Sequence, residues 1–505
     1  MKNILEYLEQ SALLHGDKVA FADELSSCTY NELWRDAKAI GSALIPHATS
    51  GKAIPIFTEK SVNAVIAFMG VVYAGSFYVL LDPSQPTARL HQILDTLEAT
   101  TLIADNKYAV QLAALNFTGT VIDLEQAKAT PSNDLALDDI RAQALDIDPL
   151  YGIFTSGSTG VPKGVVVCHR SVIDFMECFT DLFDITSKDI IGNQAPFDFD
   201  VSVKDIYSTI KLGATMQIIP KRLFSMPAPL LDFLDERKVT TLIWAVSALC
   251  IITTLKGFTY KVPTNINKVL FSGEVMPIKH LNEWRKYLPN TSYVNLYGPT
   301  EITCNCTYYN IDRNFELGDI LPIGVPFPNE KVFLLDEDDC LITTPDTIGE
   351  LCVSGTCLAL GYYNNPIQTQ KAFVQNPLNK DYLETIYRTG DLSYINEEGL
   401  LCFVSRKDFQ IKHMGHRIEL GEIEAALEKV ADINRLCCIF DDNKKRIIAF
   451  YEGPIERREI ISQIGNSLPQ YMIPNVFKKL DSLPVTNNGK TNRKLLLSQY
   501  QEGIL

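Results

Sequence analysis

Phe154-Thr155-Ser156-Gly157-Ser158-Thr159-Gly160-Val161-Pro162-Lys163-Gly164 follows directly on the apolar run Leu150-Tyr151-Gly152-Ile153. The run reads as a buried strand, and what comes after it as a loop of glycines and hydroxyls. Glycines let a backbone come close to an anion. Thr155, Ser156, Ser158 and Thr159 supply donors and Lys163 adds positive charge, so the segment suits phosphate oxygens. A flexible Ser/Gly linker, the alternative reading, has no use for a lysine fixed between proline and glycine. A Walker loop would put Gly before that lysine and Ser or Thr after it. Pro162 and Gly164 stand there instead, so magnesium accompanying a nucleotide has to be held elsewhere.

Outward from the loop, short β-branched runs such as Thr101-Leu102-Ile103-Ala104, Thr241-Leu242-Ile243-Trp244 and Lys268-Val269-Leu270-Phe271 alternate with stretches of helical period. This alternation predicts an α/β fold with largely parallel sheets flanked by helices. A chain of 505 residues exceeds one compact core. The boundary falls at Ser405-Arg406-Lys407-Asp408, where the strand-like run Leu400 to Val404 ends in consecutive charges. The expected organisation is a large N-terminal domain over 1–404, a hinge over 405–408 and a small mobile α+β domain over 409–505. Within the last, Ile423, Ala426, Leu427 and Val430 recur at i, i+3, i+4 and i+7, one buried face of a helix. The acidic stretch from Gln126 to Pro149 reads as a solvent-exposed connection.

The formal charge is −15, which repels nucleic acid and anionic lipid over most of the surface, and no dense Lys/Arg block offsets it. Glu6 interrupts what a secretory signal would need as an apolar core, and no run is long enough to span a membrane. The expectation is a cytoplasmic protein that binds neither nucleic acid nor membrane. Its twelve cysteines lack CxxC spacing and read as reduced thiols; Cys304-Asn305-Cys306 lacks nearby partners for zinc.

Further segments occur in a fixed order with the loop: Thr29-Tyr30-Asn31-Glu32-Leu33, Tyr73 to Pro83, Asn295-Leu296-Tyr297-Gly298-Pro299-Thr300-Glu301, Gly349-Glu350-Leu351, Tyr387 to Leu392, Ser405 to Glu424, Leu468 to Pro474 and Asn488-Gly489-Lys490. Together they resemble the adenylate-forming superfamily of amino-acid adenylation domains, acyl-CoA synthetases and luciferases. The resemblance implies ATP and Mg2+ as cofactors. Tyr297 would offer adenine an aromatic face, with a buried tyrosine at a tight turn as the alternative; Thr300 would donate to the α-phosphate and Glu301 would ligate magnesium. Asp391 would accept the ribose hydroxyls, Arg406 would contact ribose or phosphate, and Ser272, Gly273, Glu274, Asn295 and Gly298 would line the nucleotide. Lys490 would bridge the substrate carboxylate and the α-phosphate. Asp408 would be the pivot that exchanges the Lys490 loop for the Gly415 to Glu419 face; Ser405 stands where most relatives have glycine.

The segment Phe197-Asp198-Phe199-Asp200-Val201-Ser202-Val203-Lys204-Asp205 is similar to the one that marks amino-acid activators. By that resemblance Asp200 pairs with the substrate α-ammonium, which justifies burying a carboxylate; the alternative is an N-cap for the helix that follows. The remaining pocket positions would be Val201, Lys204, Ile243, Leu270, Ser272, Leu296, Cys304 and Asn305. The Phe271 to Pro277 segment resembles the D-alanine carrier-protein ligases, but those carry an apolar residue at the Lys204 position. An inward Lys204 suits an acid or hydroxyl on the substrate, an outward one a small neutral side chain. The chain stops just past Lys490, so the expected partner is a phosphopantetheinylated carrier protein acting in trans. Acyl- or aryl-CoA synthetase and non-catalytic nucleotide sensor are the competing readings.

Overall fold

The computed structural model of the protein describes residues 1–48, 50–157, 160–485 and 491–505. These fall into two compact units: Met1–Pro83, Leu97–Ile153 and Gly164–Lys407 form the first, and Ser84–Thr96, Phe154–Lys163 and Asp408–Leu505 the second. Among the described residues the largest sheet has nine strands, in the order Val325–Pro326, Thr307–Asn310, Ser292–Tyr297, Lys268–Ser272, Thr241–Ala245, Ile190–Asn193, Thr215–Ile218, Val19–Ala22 and Ser27–Thr29. The interior pairings from Ser292–Tyr297 to Val19–Ala22 are parallel, and antiparallel strands close both edges.

A seven-stranded sheet runs Gly361–Tyr362, Lys163–Cys168, Pro149–Thr155, Phe77–Leu81, Ala53–Phe57, Thr101–Ala104 and Thr120–Asp123. The α/β expectation with parallel-rich sheets thus describes the fold, and all three β-branched runs singled out in the sequence are strands. A third, antiparallel sheet carries Thr385–Ile395 and Leu401–Arg406. The helix Val62–Tyr73 is buried at every position but Asn63, as its apolar run from Ala64 onward requires. Its Phe68 stacks on Tyr78 with ring centroids 4.1 Å apart.

In the second unit a hairpin, Gln410–His413 with His416–Glu419, leads into the helix Leu420–Leu427 and a three-stranded sheet of Arg435–Asp441, Arg446–Glu452 and Val476–Lys479. Ile423, Leu427 and Val430 are buried as their spacing predicts, but the helix ends at Leu427 and Val430 sits in the turn beyond it. Ser405 and Arg406, expected in the hinge, are still sheet residues, paired with Leu392 and Asp391. The acidic stretch is more than a connection: it holds the helix Asp134–Gln143, capped by Asn133 and anchored by buried Leu137. All twelve cysteines are free. No described helix is long and apolar enough to cross a membrane.

The Thr29-Tyr30-Asn31-Glu32-Leu33 segment is a helix start. Thr29 Oγ1 accepts the Glu32 N–H at 3.2 Å and Glu32 Oε2 accepts the Thr29 N–H at 2.8 Å, a reciprocal capping box for Tyr30–Leu44. Thr29→Ala should therefore lower stability by about 1 kcal/mol in a denaturant titration and leave nucleotide affinity unchanged.

Candidate active site

Register brings the candidate substrate-side residues together. Ile243 pairs with Leu270 and Leu270 with Val294, so these residues, together with Ser272 and Leu296 two positions further on, lie on one face of the nine-stranded sheet. Leu242, Trp244, Val269, Phe271 and Tyr293 point to the other face, into a separate core. Ser272 and Tyr297 end their strands at the carboxyl edge of the parallel sheet, where ligand sites of open α/β sheets lie.

The helix Val201–Leu212 packs against the first of these faces. Asp200 holds its N-cap position, yet its side chain makes no cap hydrogen bond, so capping does not account for the carboxylate. Val201 opens the helix and Lys204 is completely buried one turn on. The Lys204 ammonium points inward, donating to Asn305 Oδ1 at 2.6 Å and Ser272 Oγ at 3.4 Å. Burial pulls its pKa down, against Cys304, Asp200 and Asp205, which favour the charged form. The structure thus gathers Asp200, Lys204, Ile243, Leu270, Ser272, Leu296, Cys304 and Asn305 in one region. Tyr151, absent from the sequence-predicted set, joins them: its fully buried hydroxyl has no hydrogen-bond partner among the described residues, and the Asp200 and Cys304 side chains act on it electrostatically.

Cys304 and Asn305 sit on a strained strap. Thr303 and Cys304 have φ of 55° and 76°, a left-handed conformation that is an outlier for a β-branched residue. The Thr303 hydroxyl donates to Cys357 O at 2.7 Å, the Cys304 thiol to Asp200 O at 3.1 Å, and the Cys306 N–H to Tyr297 O at 2.8 Å. Gly298 lets this happen: a Cβ there would lie 2.5 Å from Asn305 Cα and 2.7 Å from Cys304 O. Sequence reasoning put Gly298 beside the nucleotide; its visible function is to admit the strap.

Tyr297 is buried and its hydroxyl donates to Asp391 Oδ2, while Arg406 Nη1 donates to Asp391 Oδ1 at 2.6 Å. Burial and the Asp391 carboxylate hold the Tyr297 hydroxyl well above the ordinary phenol pKa. Tyr297, Asp391 and Arg406 thus form one cluster. Asn295 faces away from Leu296 along its strand and donates to Pro322 O at 2.7 Å. Gly273 has a φ of 95° with open space where a Cβ would be, directly before Glu274. Thr300 starts a short 3-10 turn and is buried. Glu301 is fully buried, accepting the Tyr362 hydroxyl at 2.7 Å. Among the described residues no group of three or more His, Cys, Asp or Glu is placed to hold a metal. A single fixed carboxylate nonetheless fits Mg2+, which takes one or two carboxylates beside phosphate and water oxygens.

In the second unit the phosphate loop turns on Gly157, whose Cβ would lie 2.0 Å from Val161 O. The Gly157 N–H donates to Glu422 Oε2 at 3.1 Å, and Glu422 pairs with Arg89 at 2.7 Å, both side chains buried. Burial raises the Glu422 pKa against the pull of Arg89 and Gly157. Ser156 Oγ donates to Arg417 O and accepts the Glu419 N–H. Thr155 Oγ1 is buried with no partner among the described residues, and Lys163 is buried at the start of its strand. Arg89 and Glu422 were not singled out from the sequence, since only the fold brings residues so far apart together. Ser158, Thr159 and Lys490 lie outside the described residues.

Gly298→Ala should displace the strap and cut turnover by at least about tenfold, while a thermal melt should show a folded protein. A variant with unchanged kinetics would show that the strap tolerates the added methyl.

Residues 8–363 match the family described as AMP-binding enzyme. The chain is 32% identical to zwittermicin A synthase ZmaJ of Bacillus cereus, covering 98% of this chain and 94% of that one. It is 32% identical to bacitracin synthase 1 of Bacillus licheniformis over 98% of its length, but spans only 9% of that protein. The Vibrio cholerae adenylation domain AlmE, solved in complex with glycyl-adenosine-5'-phosphate, superposes with a TM-score of 0.85 at 21% identity, covering 99% of this chain and 98% of that one. A loop of phosphate-binding composition, the Tyr297–Asp391–Arg406 cluster and a family match over most of the chain agree: the protein belongs to the AMP-binding, adenylate-forming enzymes and resembles the adenylation domains of nonribosomal peptide synthetases.

Proposed function

We propose that the protein activates an amino acid as its acyl-adenylate and passes it to the phosphopantetheine thiol of a separate carrier protein in the cytoplasm. The observation that carries this reading is Asp200, a carboxylate set at the mouth of a buried helix without a cap bond, beside a pocket of inward-facing side chains. A substrate ammonium would be a charge-complementary ligand for that carboxylate.

In the first step a substrate carboxylate oxygen attacks the α-phosphorus of ATP. The bond from that phosphorus to the α,β-bridging oxygen breaks, and pyrophosphate leaves. No general base is required, because the carboxylate is already a nucleophile at neutral pH. The barrier is set by bringing two anions together, so cations and N–H donors do the work. Thr155, Ser156, Gly157, Ser158, Thr159 and Lys163 would hold the departing phosphates, and Thr300 the α-phosphate. Tyr297, Asp391 and Arg406 would hold the nucleoside, flanked by Ser272, Gly273, Glu274, Asn295 and Gly298. Mg2+, with Glu301 as its protein ligand, would neutralise phosphate charge. Lys490 would bridge the substrate carboxylate and the α-phosphate. In the second step the carrier thiolate attacks the acyl carbon and AMP leaves, after the chain pivots at Asp408.

Pyrophosphate exchange across the L- and D-amino acids and a set of fatty and aryl acids tests the reading. Exchange confined to fatty or aryl acids would convert it to a CoA-synthetase-like activity, and no exchange at all would favour a nucleotide sensor. Asp200→Ala should raise the KM for amino acid about thirtyfold or more and leave the KM for ATP nearly unchanged. Lys490→Ala should abolish exchange while ATP still binds by calorimetry; near-normal exchange would refute its role.

A further inference from the structure

We infer that the activated acid carries a second carboxylate on a short side chain, and that this group meets the Lys204 ammonium between Asn305 and Ser272. The inference rests on the amino-acid reading above for the place of the α-ammonium, but its own support is the setting of Lys204.

An ammonium has three N–H donors. Two of those of Lys204 go to neutral oxygens, Asn305 Oδ1 and Ser272 Oγ, and among the described residues the group makes no ion pair. A lysine with no solvent exposure and no ion-pair partner is costly to keep charged unless something completes it. Two carboxylates on its own helix favour its charge from a distance, Asp200 one turn earlier and Asp205 next in sequence. Asp205 accepts a hydrogen bond from Asn193 Nδ2 at 2.6 Å. Asp200 is the partner assigned to the α-ammonium. Once that ammonium is bound, the field of Asp200 at Lys204 is largely cancelled, and the cation needs a new negative charge at the moment the substrate closes the pocket off from water.

Geometry limits where that charge can be. Asp200 and Lys204 are separated by one helical turn, so their Cβ atoms lie about 5–6 Å apart. That placement puts both charged side chains on one face of the helix, which suits one small molecule bearing both an ammonium and a carboxylate. The neighbouring Ile243, Leu270 and Leu296 are apolar and buried. A dicarboxylic α-amino acid such as aspartate or glutamate satisfies both charges with one molecule. An apolar side chain of the same size would leave an uncompensated ammonium in a dry pocket.

The test is pyrophosphate exchange by the full chain with aspartate, glutamate, asparagine, glutamine, serine, alanine and valine, each as both enantiomers, and with succinate and glutarate as analogues lacking the amino group. Aspartate or glutamate should exceed its own amide about a hundredfold or more in kcat/KM. Lys204→Met should cost the acidic substrate at least about a hundredfold and narrow or reverse its advantage over the amide, with ATP affinity unaltered. Preference of the unmodified enzyme for alanine, valine, serine or an amide overturns the inference while leaving amino-acid activation standing. Preference for succinate or glutarate over every amino acid overturns the amino-acid reading and leaves the assignment of Lys204 intact. An acidic preference that survives Lys204→Met overturns that assignment.

Discussion

The parallel pairing of Thr241–Ala245, Lys268–Ser272 and Ser292–Tyr297 is the constraint on which the pocket depends. With a side-chain period of two, each strand sends one set of residues into each of two cores. A slip of one residue would exchange Ile243, Leu270 and Leu296 for Trp244, Phe271 and Tyr297 on this face. Register is held by large buried groups on the far face. Trp244 Nε1 donates to Gly192 O at 2.7 Å and Trp284 Nε1 to Leu249 O at 3.1 Å, so these indoles are fixed by direction as well as by volume. The arrangement of side chains on the near face is therefore held by packing on the far one.

Close approach of backbone to backbone recurs where the chemistry is expected. Gly298 lets the Thr303 to Cys306 strap cross behind Tyr297, and Gly157 lets the phosphate loop fold onto Val161. In both places the absent side chain shapes a turn that polar residues then use. The Gly157 N–H already meets an anion, the carboxylate of Glu422, which Arg89 in turn neutralises. Donors at this point of the loop are thus oriented towards negative charge by the protein's own residues, which is the geometry that phosphate oxygens require.

Much of this was legible in the sequence because it is local. The strand before the loop, the βα alternation and the Ile423, Leu427 and Val430 face each rest on neighbouring residues. That these residues lie together was legible only through resemblance, since Asp200, Leu270 and Asn305 carry no local sign of meeting. The direction of Lys204 could not be read at all: a lysine on an amphipathic helix can extend to water, and burial by the strands opposite decides otherwise. The acidic stretch misled for a related reason. Its charges describe the exposed side of Asp134–Gln143, whereas a single buried residue, Leu137, fixes the helix in place. Arg89 with Glu422 and Tyr362 with Glu301 are pairs separated by long stretches of chain, joined by folding alone.

Charge is what the chemistry has to manage, and the arginines near the candidate site segments are already committed. Arg406 is bound to Asp391, Arg89 to Glu422 and Arg388 to Glu350. A nucleotide cannot recruit these guanidinium groups fully without loosening a carboxylate buried beside each, which would cost several kcal/mol per uncompensated charge, on the order of what a bound phosphate contact returns. In a chain of net charge −15, an anion that binds near these committed guanidinium groups therefore depends all the more on neutral N–H and hydroxyl donors. On the function proposed above, a cation that joined the two anions only once both were bound would serve better than one fixed in place, because a permanently buried partner would stabilise the separated anions as much as their joining, and only the difference between the two lowers the barrier.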